Sequence, residues 1–475
     1  LRQTGPGTKG LSLGNTLEMT LTTALLSAAC LLVSVETFAA SLTVRMLPER
    51  GRPGFAEVRG VAAGPFDPAI WSDGPPHLLP DARFPLIEPL PGRFRNIYAP
   101  SAVETPGGWR VFYGAWDGVE TPNDRIYSVQ TKDFLTFSDR HTVIEHGSFV
   151  HVCNVNAIRL PEGSFAMACT AYPVGNNTNK TAVFFSPDGR KWNGNPAPHP
   201  ACAEDLISME GYPGFEGGDF NGMNVLLYED GKYRLWFGDF KDFGKTWRAT
   251  SSDGRHFVLD GKSLDGPFAV NDVKKFRTRD GRTWYLMGLH WNQDRLWYSL
   301  SRDGMTFEAA KELGRNLSRE DRYIVAHGWV VSGDQEKSGR RLLGYLYGAG
   351  AASSLDRNRI FARWLQKKAV FVTECGERTG GTRALGPDRQ LIPIADRIRG
   401  RILLYAEDGK TLLGRSEAIV LESGKVYRLE MAPPVEQTSP TKPSAGREQR
   451  SRPGQAPVRG GTSSSSRNCM AYIWE

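Results

Sequence analysis

One short phrase recurs along the chain and constrains its fold more than any other feature. It reads as a small or polar residue, any residue, Asp, Gly, two residues and an aromatic. It occurs as Ser186-Pro-Asp188-Gly-Arg-Lys-Trp192, Ser251-Ser-Asp253-Gly-Arg-His-Phe257 and Ser301-Arg-Asp303-Gly-Met-Thr-Phe307, with a degenerate copy at Thr131-Lys-Asp133-Phe-Leu-Thr-Phe137. The four aspartates are spaced by 55, 65 and 50 residues. Asp-Gly supplies a tight turn, and the aromatic that follows packs back into an apolar layer. Self-similarity at such a period marks a repeat architecture.

A hairpin of two apolar strands precedes each copy. Residues 102–103 pass a Pro-Gly-Gly turn to 109–113; 156–158 pass Pro161-Glu-Gly163 to 165–168; 224–228 pass Glu229-Asp-Gly to 233–237; 273–276 pass Asp280-Gly281 to 284–287. A fifth hairpin pairs 327–331 with 341–347, is followed by an apolar run at 359–364, and lacks the Asp-Gly turn. The unit is therefore four strands of roughly 50 residues, a propeller blade. Five units fit between 91 and 390, so the chain reads as all-β, a five-bladed β-propeller with a small C-terminal β extension. A β-sandwich with coincidental turns is the competing reading, and the fivefold order of elements speaks against it.

The expected layout is a leader at 1–40, a Pro-rich wrapping segment at 41–90, the propeller at 91–390, two or three further strands at 391–431 and a disordered tail at 432–475. Residues 20–40 are mostly apolar, follow Met19 and end in Phe-Ala-Ala. That pattern reads as a secretory signal, with an N-terminal membrane anchor second, and predicts a secreted or periplasmic protein. The tail is rich in Pro, Ser, Gly and Arg and cannot bury a core. It carries much of the basic excess behind the formal charge of +7, so the charge does not point to nucleic acid. There are six cysteines and no Cys-x-x-Cys pair, which argues against a structural zinc site. Cys153 and Cys169 flank one hairpin, close enough in sequence to meet.

In a propeller the first strand of each blade lines the central channel, and ligands bind at one mouth, where first strands begin and second strands end. Residues entering first strands include Asn96, Tyr98, His151, Asn154, Asn156, Asn221, Asp272 and His327; those leaving second strands include Trp116, Asp117, Asp239, His290 and Trp291. Aromatic faces stack on sugar rings, and Asn, Asp and His bond hydroxyls. Singly, Asn and Asp also start strands and cap turns. The Gly-rich stretch 210–221 adds Glu216 and Asp219, three residues apart. Glycoside hydrolysis uses two carboxyl groups flanking the scissile bond, one of them protonated. Asp219 or Glu216 facing Asp272 from the next blade, or Asp117 from the first, would supply the pair, and His327 or His151 would supply or shuttle a proton. No phosphate loop, metalloprotease helix or dinucleotide fingerprint is present. No cofactor is expected; a structural Ca²⁺ at the mouth is the one ion its Asp and Asn residues could hold.

Tyr98-Ala-Pro-Ser-Ala-Val, Tyr233-Arg-Leu-Trp-Phe and Ser186-Pro-Asp-Gly-Arg-Lys-Trp resemble segments of glycoside hydrolase families 43 and 32 and related five-bladed propellers, over roughly residues 91–372. The resemblance implies the propeller fold and glycoside hydrolysis. It implies catalytic acids at three positions where this chain has Ala99, Asn156 and Asn221, the last with Asp219 and Glu216 just upstream. The expectation is an exported glycosidase acting on a plant, algal or microbial oligo- or polysaccharide, with catalytic residues Asp219, Glu216, Asp272 and His327. A non-catalytic glycan-binding propeller is the alternative, and an interaction scaffold the third reading.

Overall fold

The computed structural model describes residues 40–90, 95–116, 124–173, 178–352 and 357–431. The expected leader, the tail and Asp117 lie outside the described residues.

The five blades are present. Their inner strands are Asn96–Thr105, Phe149–Arg159, Val225–Glu229, Ala269–Arg277 and Tyr323–Ser332, and each blade continues outward as an antiparallel meander. Both faces of every blade are buried against its neighbours, so successive strand residues are apolar rather than alternating with polar ones. Leu342 enters the layer between blades IV and V, and Leu343 the layer between V and I. Phe112 and Tyr113 divide likewise between the layers shared with blades II and V. Five apolar clusters thus fill the five gaps between blades.

The recurring turn explains its own sequence. In each full copy the serine Oγ accepts the glycine N–H, and the Asp Oδ1 accepts the next two N–H groups at 2.7–2.8 Å. The glycine has φ between +66° and +75° in all three; in the degenerate copy Phe134 holds the same slot at φ +60°. Its ring is buried between Trp109 and Trp364, which offsets the strain of a left-handed non-glycine residue.

Two blades depart from the repeat. Blade V takes its outer strand, Leu78–Pro80, from the N-terminal segment, which closes the ring: Leu79 pairs with Trp364, and Asp81 accepts the Trp364 indole N–H at 2.7 Å. Blade II has three strands, ending at Lys180–Ser186. The chain that follows is stapled onto both neighbours, His199–Pro200 on the edge of blade I and Ser208–Glu210 on the edge of blade III. Pro196, Pro198 and Pro200 remove alternate N–H donors, so this stretch cannot carry an interior ladder.

The second sheet is larger than the two or three strands expected. It has nine strands and begins at Lys368–Thr373, inside the span read as propeller. Ala40–Arg50 and Phe55–Arg59 flank Lys425–Met431, so the two ends of the described chain meet in one sheet with its own core around Val58, Phe371, Ile402 and Leu404. Cys153, Cys169, Cys202 and Cys375 are free thiols.

Candidate functional site: the mouth where inner strands begin

Four of the five inner strands carry a register shift near this mouth: between Tyr98 and Ser101, Cys153 and Asn156, Val270 and Asp272, and Ile324 and Ala326. Each inserts residues and turns the following side chains onto the other face. Ala99 and Asn154 sit within two of these bulges at φ +49° and +53°. Strained non-glycine residues of this kind cluster where a site needs side chains re-aimed.

The bulges sort the expected residues into two layers. The inner layer seals the channel. Asn156 of blade II donates Nδ2–H to Asp272 Oδ1 of blade IV at 3.0 Å, and its own Oδ1 accepts Leu226 N–H at 3.0 Å. Asp272 also accepts Lys274 Nζ at 2.7 Å and Trp329 N–H at 2.9 Å. Asp272 is 1% exposed and fully engaged, so it is an axial strut away from the mouth surface. Asn96 is likewise buried, accepting Asn358 N–H at 2.7 Å.

His327 belongs to this layer too. His290 lies 3.0 Å from Asn292 Oδ1 through Nε2 and 2.6 Å from Asn271 Nδ2 through Nδ1; Asn271 Oδ1 lies 2.9 Å from His327 Nδ1. One proton arrangement satisfies the chain. His290 donates from Nε2 and accepts at Nδ1, and His327 donates from Nδ1, so both rings are neutral. Burial pushes His290 down to about 4 and His327 to about 3. Gly288 is dictated by this wall: a Cβ there would meet His327 Nε2 at 2.2 Å. His327 is held neutral and enclosed, with no solvent face from which to shuttle a proton.

The outer layer is the mouth itself. His151 Nδ1 lies 2.9 Å from Asp124 Oδ2, and the His151 ring meets Tyr172 edge to face at 5.7 Å. Buried Tyr98 stands beside Asp124 and Cys153; burial, then those two groups, raise its phenol well above the usual range. Asp124 is an acid the sequence reading passed over. Trp116 and Asn154 are half-buried on the same rim.

Between blades II and III, Asp219 Oδ1 accepts both Asn179 N–H at 2.9 Å and Asn179 Nδ2–H at 2.8 Å, while Asp219 N–H donates to Asp239 Oδ1 at 2.9 Å. Asp239 also accepts the Tyr212 hydroxyl at 2.9 Å and Lys241 N–H at 2.8 Å. Lys180 pins the loop by donating to the carbonyls of Phe215, Glu216 and Gly218. That leaves the Glu216 side chain exposed on a fixed backbone. The structure thus brings Glu216, Asp219 and Asp239 together and separates them from Asp272.

Beside them lies an aromatic platform. Phe243 and Trp291 have ring centroids 4.5 Å apart, and Phe240 stacks on Trp291 at 6.2 Å. Phe243 is 43% exposed, and Phe240 and Trp291 are half-buried. A small recess lined by Asn221, Asp239, Phe240, Phe243 and Lys245 opens next to them. Asn221 is exposed at its edge. Trp291 was legible from the sequence; Phe240 and Phe243 lie in the connection after the second strand of blade III, where a list of strand ends does not reach.

The opposite mouth holds a cavity of about 780 Å³, which the sequence reading missed, lined by Glu104, Arg159, Glu229, Lys274, Asp334 and Arg340 among others. Much of its charge is matched internally. Glu104 accepts Ser332 Oγ–H and Gly333 N–H, Glu229 accepts the Tyr285 hydroxyl, and Lys275 pairs with Glu336 and Glu229. At the first mouth no three His, Cys, Asp or Glu side chains converge to metal-ligating distance among the described residues.

No family model matches the chain, and no curated protein matches it. Solved structures do. A GH62 hydrolase in complex with xylotriose is 11% identical, with 63% of this chain and 100% of that chain covered at a TM-score of 0.43. A glycosyl hydrolase from Bacteroides ovatus is 13% identical over 63% and 96%, at 0.41. The catalytic domain of Coprinopsis cinerea GH62 alpha-L-arabinofuranosidase is 15% identical over 67% and 98%, at 0.38. The chain's own sheets make it a five-bladed β-propeller.

Proposed function

We propose that this chain is an exported carbohydrate-active propeller that takes an oligosaccharide at the mouth where its inner strands begin. The observation that carries the reading is the Phe240–Phe243–Trp291 platform standing open beside Asn221 and the anchored acids Asp219 and Asp239. A sugar ring presents an apolar C–H face and a hydroxyl edge. Aromatic rings match the first, and fixed amide and carboxylate groups match the second. The cavity at the other mouth has one aromatic, Tyr228, among its lining residues and mostly paired charge, and suits a saccharide less well.

Hydrolysis is the second reading, favoured by the carboxylates Glu216 and Asp219 on one pinned loop. It needs a partner acid at about 5–10 Å across the scissile bond. Asp272, sealed in the axis, is not placed to serve; Asp124 is an acid beside His151, at the start of blade II's inner strand. Incubation with a panel of plant, algal and microbial polysaccharides, scored for both retention and new reducing ends, tests both readings. Retention without new ends supports recognition alone. New ends lost in Glu216→Ala or Asp219→Asn support hydrolysis. Neither retention nor new ends on any glycan overturns the proposal.

A further inference from the structure

The segment that leaves blade II without a fourth strand carries a second chemistry. Between its contact with blade I at His199–Pro200 and its contact with blade III at Ser208–Glu210, it places His199, Cys202 and Asp205 around one point. One ligand atom from each lies within 4.8 Å of the others. His199 Nε2 is 3.0 Å, and Cys202 Sγ 3.5 Å, from Asp205 Oδ2. We propose that His199, Cys202 and Asp205 bind a divalent transition-metal ion of the zinc type, which locks this segment across blades I and III.

The donor set is imidazole, thiolate and carboxylate, the three protein ligands that zinc takes. With metal–ligand bonds of about 2.0–2.3 Å, the edges of a tetrahedral site are about 3.3–3.6 Å; the two edges to Asp205 Oδ2 are already within tenths of an ångström of that, and the third, from His199 to Cys202, lies within 4.8 Å. The surroundings already orient them. Asn193 donates Nδ2–H to Asp205 Oδ1 at 2.6 Å while its own Oδ1 accepts Phe185 N–H at 2.8 Å, which fixes the carboxylate. The Asn195 amide lies 2.9 Å from His199 Nδ1. Outer partners of this kind set the tautomer and angle of a metal-binding histidine.

The proton balance is simple. Without metal, His199 donates from Nε2 to Asp205 and accepts at Nδ1 from Asn195. On binding, the Cys202 S–H proton leaves to solvent and the imidazole proton moves from Nε2 to Nδ1. The Asn195 amide turns over so that its oxygen accepts that proton. Three protein ligands leave the fourth position for water, or for the exposed Glu204, whose carboxylate sits beside the Cys202 thiol. A purely structural turn needs no sulfur here, because the turn is already closed by Cys202 N–H donating to Asp205 Oδ2 at 2.9 Å.

The test is a cobalt(II) titration of the full, untagged chain after chelator treatment. The expected result is one Co²⁺ per chain with a near-ultraviolet thiolate-to-cobalt band. That band should vanish and affinity fall at least tenfold in Cys202→Ser, which keeps the turn, but persist in Cys375→Ser. Zn²⁺ should raise the melting temperature of the wild type and leave that of His199→Ala unchanged. A wild-type protein without a thiolate band, or Cys202→Ser with the same band and stoichiometry, overturns the proposal. Should His199→Ala fail to fold, the wild-type and Cys202→Ser spectra still decide it.

Discussion

Asn156 Nδ2 and Asp272 Oδ1 meet at 3.0 Å across the propeller axis, joining blade II to blade IV, which are not neighbours in the ring. This bond and the Lys274 ammonium on the same oxygen close the channel at mid-height. Burial pushes the Lys274 pKa down, and Asp272 opposes that shift. Asp272→Ala leaves the ammonium buried without its counter-charge, and unfolding in urea should show a loss of about 3–5 kcal/mol. Asn156→Ala should cost about 1–3 kcal/mol, the penalty for leaving buried partners unmatched. Combining Asp272→Ala with Lys274→Met should recover part of the first loss.

The turn glycines make a paired prediction. Gly254 and Gly231 share a left-handed backbone, at φ +75° and +71°. A Cβ at Gly254 would meet the Phe185 ring at 2.7 Å, whereas nothing lies within 4 Å at Gly231. Gly231→Ala should cost about 1 kcal/mol from backbone strain alone, and Gly254→Ala more, by about 1–3 kcal/mol of overpacking. Denaturant midpoints of the two variants, at equal slope, measure the difference.

Acid should destabilise the propeller through its histidine wall. His290 and His327 are held neutral, at about 4 and about 3 in the folded state against an ordinary 6.5. Below pH 6.5 the unfolded chain binds protons that the folded chain refuses, so stability falls as pH drops from 6.5 towards 3 and levels off below that. Each histidine contributes on the order of a few kcal/mol over the window. Urea midpoints at pH 7, 6, 5 and 4 should decline, and His327→Gln should roughly halve the decline between pH 6.5 and 4.

The blades were legible because their signal is local: an Asp-Gly turn and two apolar runs, repeated. What escaped depends on pairings far apart in sequence or on single inserted residues. Ala40–Arg50 gives no hint that its partner is Lys425–Met431. Blade II's missing strand is written in Pro196, Pro198 and Pro200, but where that segment attaches instead is not. Asp272 was expected at the mouth with Asp219. The bulge between Val270 and Asp272 makes Asn271 the extra residue and places Asp272 on the axis. His290 and His327 looked like solvent-facing mouth residues, and it is packing around Gly288 and Asn271 that makes them wall.

The central claim is that the aromatic platform at this mouth receives a sugar. Its most direct measurement is calorimetric titration of the best-retained oligosaccharide into the wild type and Trp291→Ala. Removing the half-buried indole should leave the melting temperature within a few degrees and raise the Kd about tenfold or more, a loss of about 1.4 kcal/mol or greater. A Trp291→Ala protein that stays folded and binds the same glycan with unchanged affinity would contradict the account.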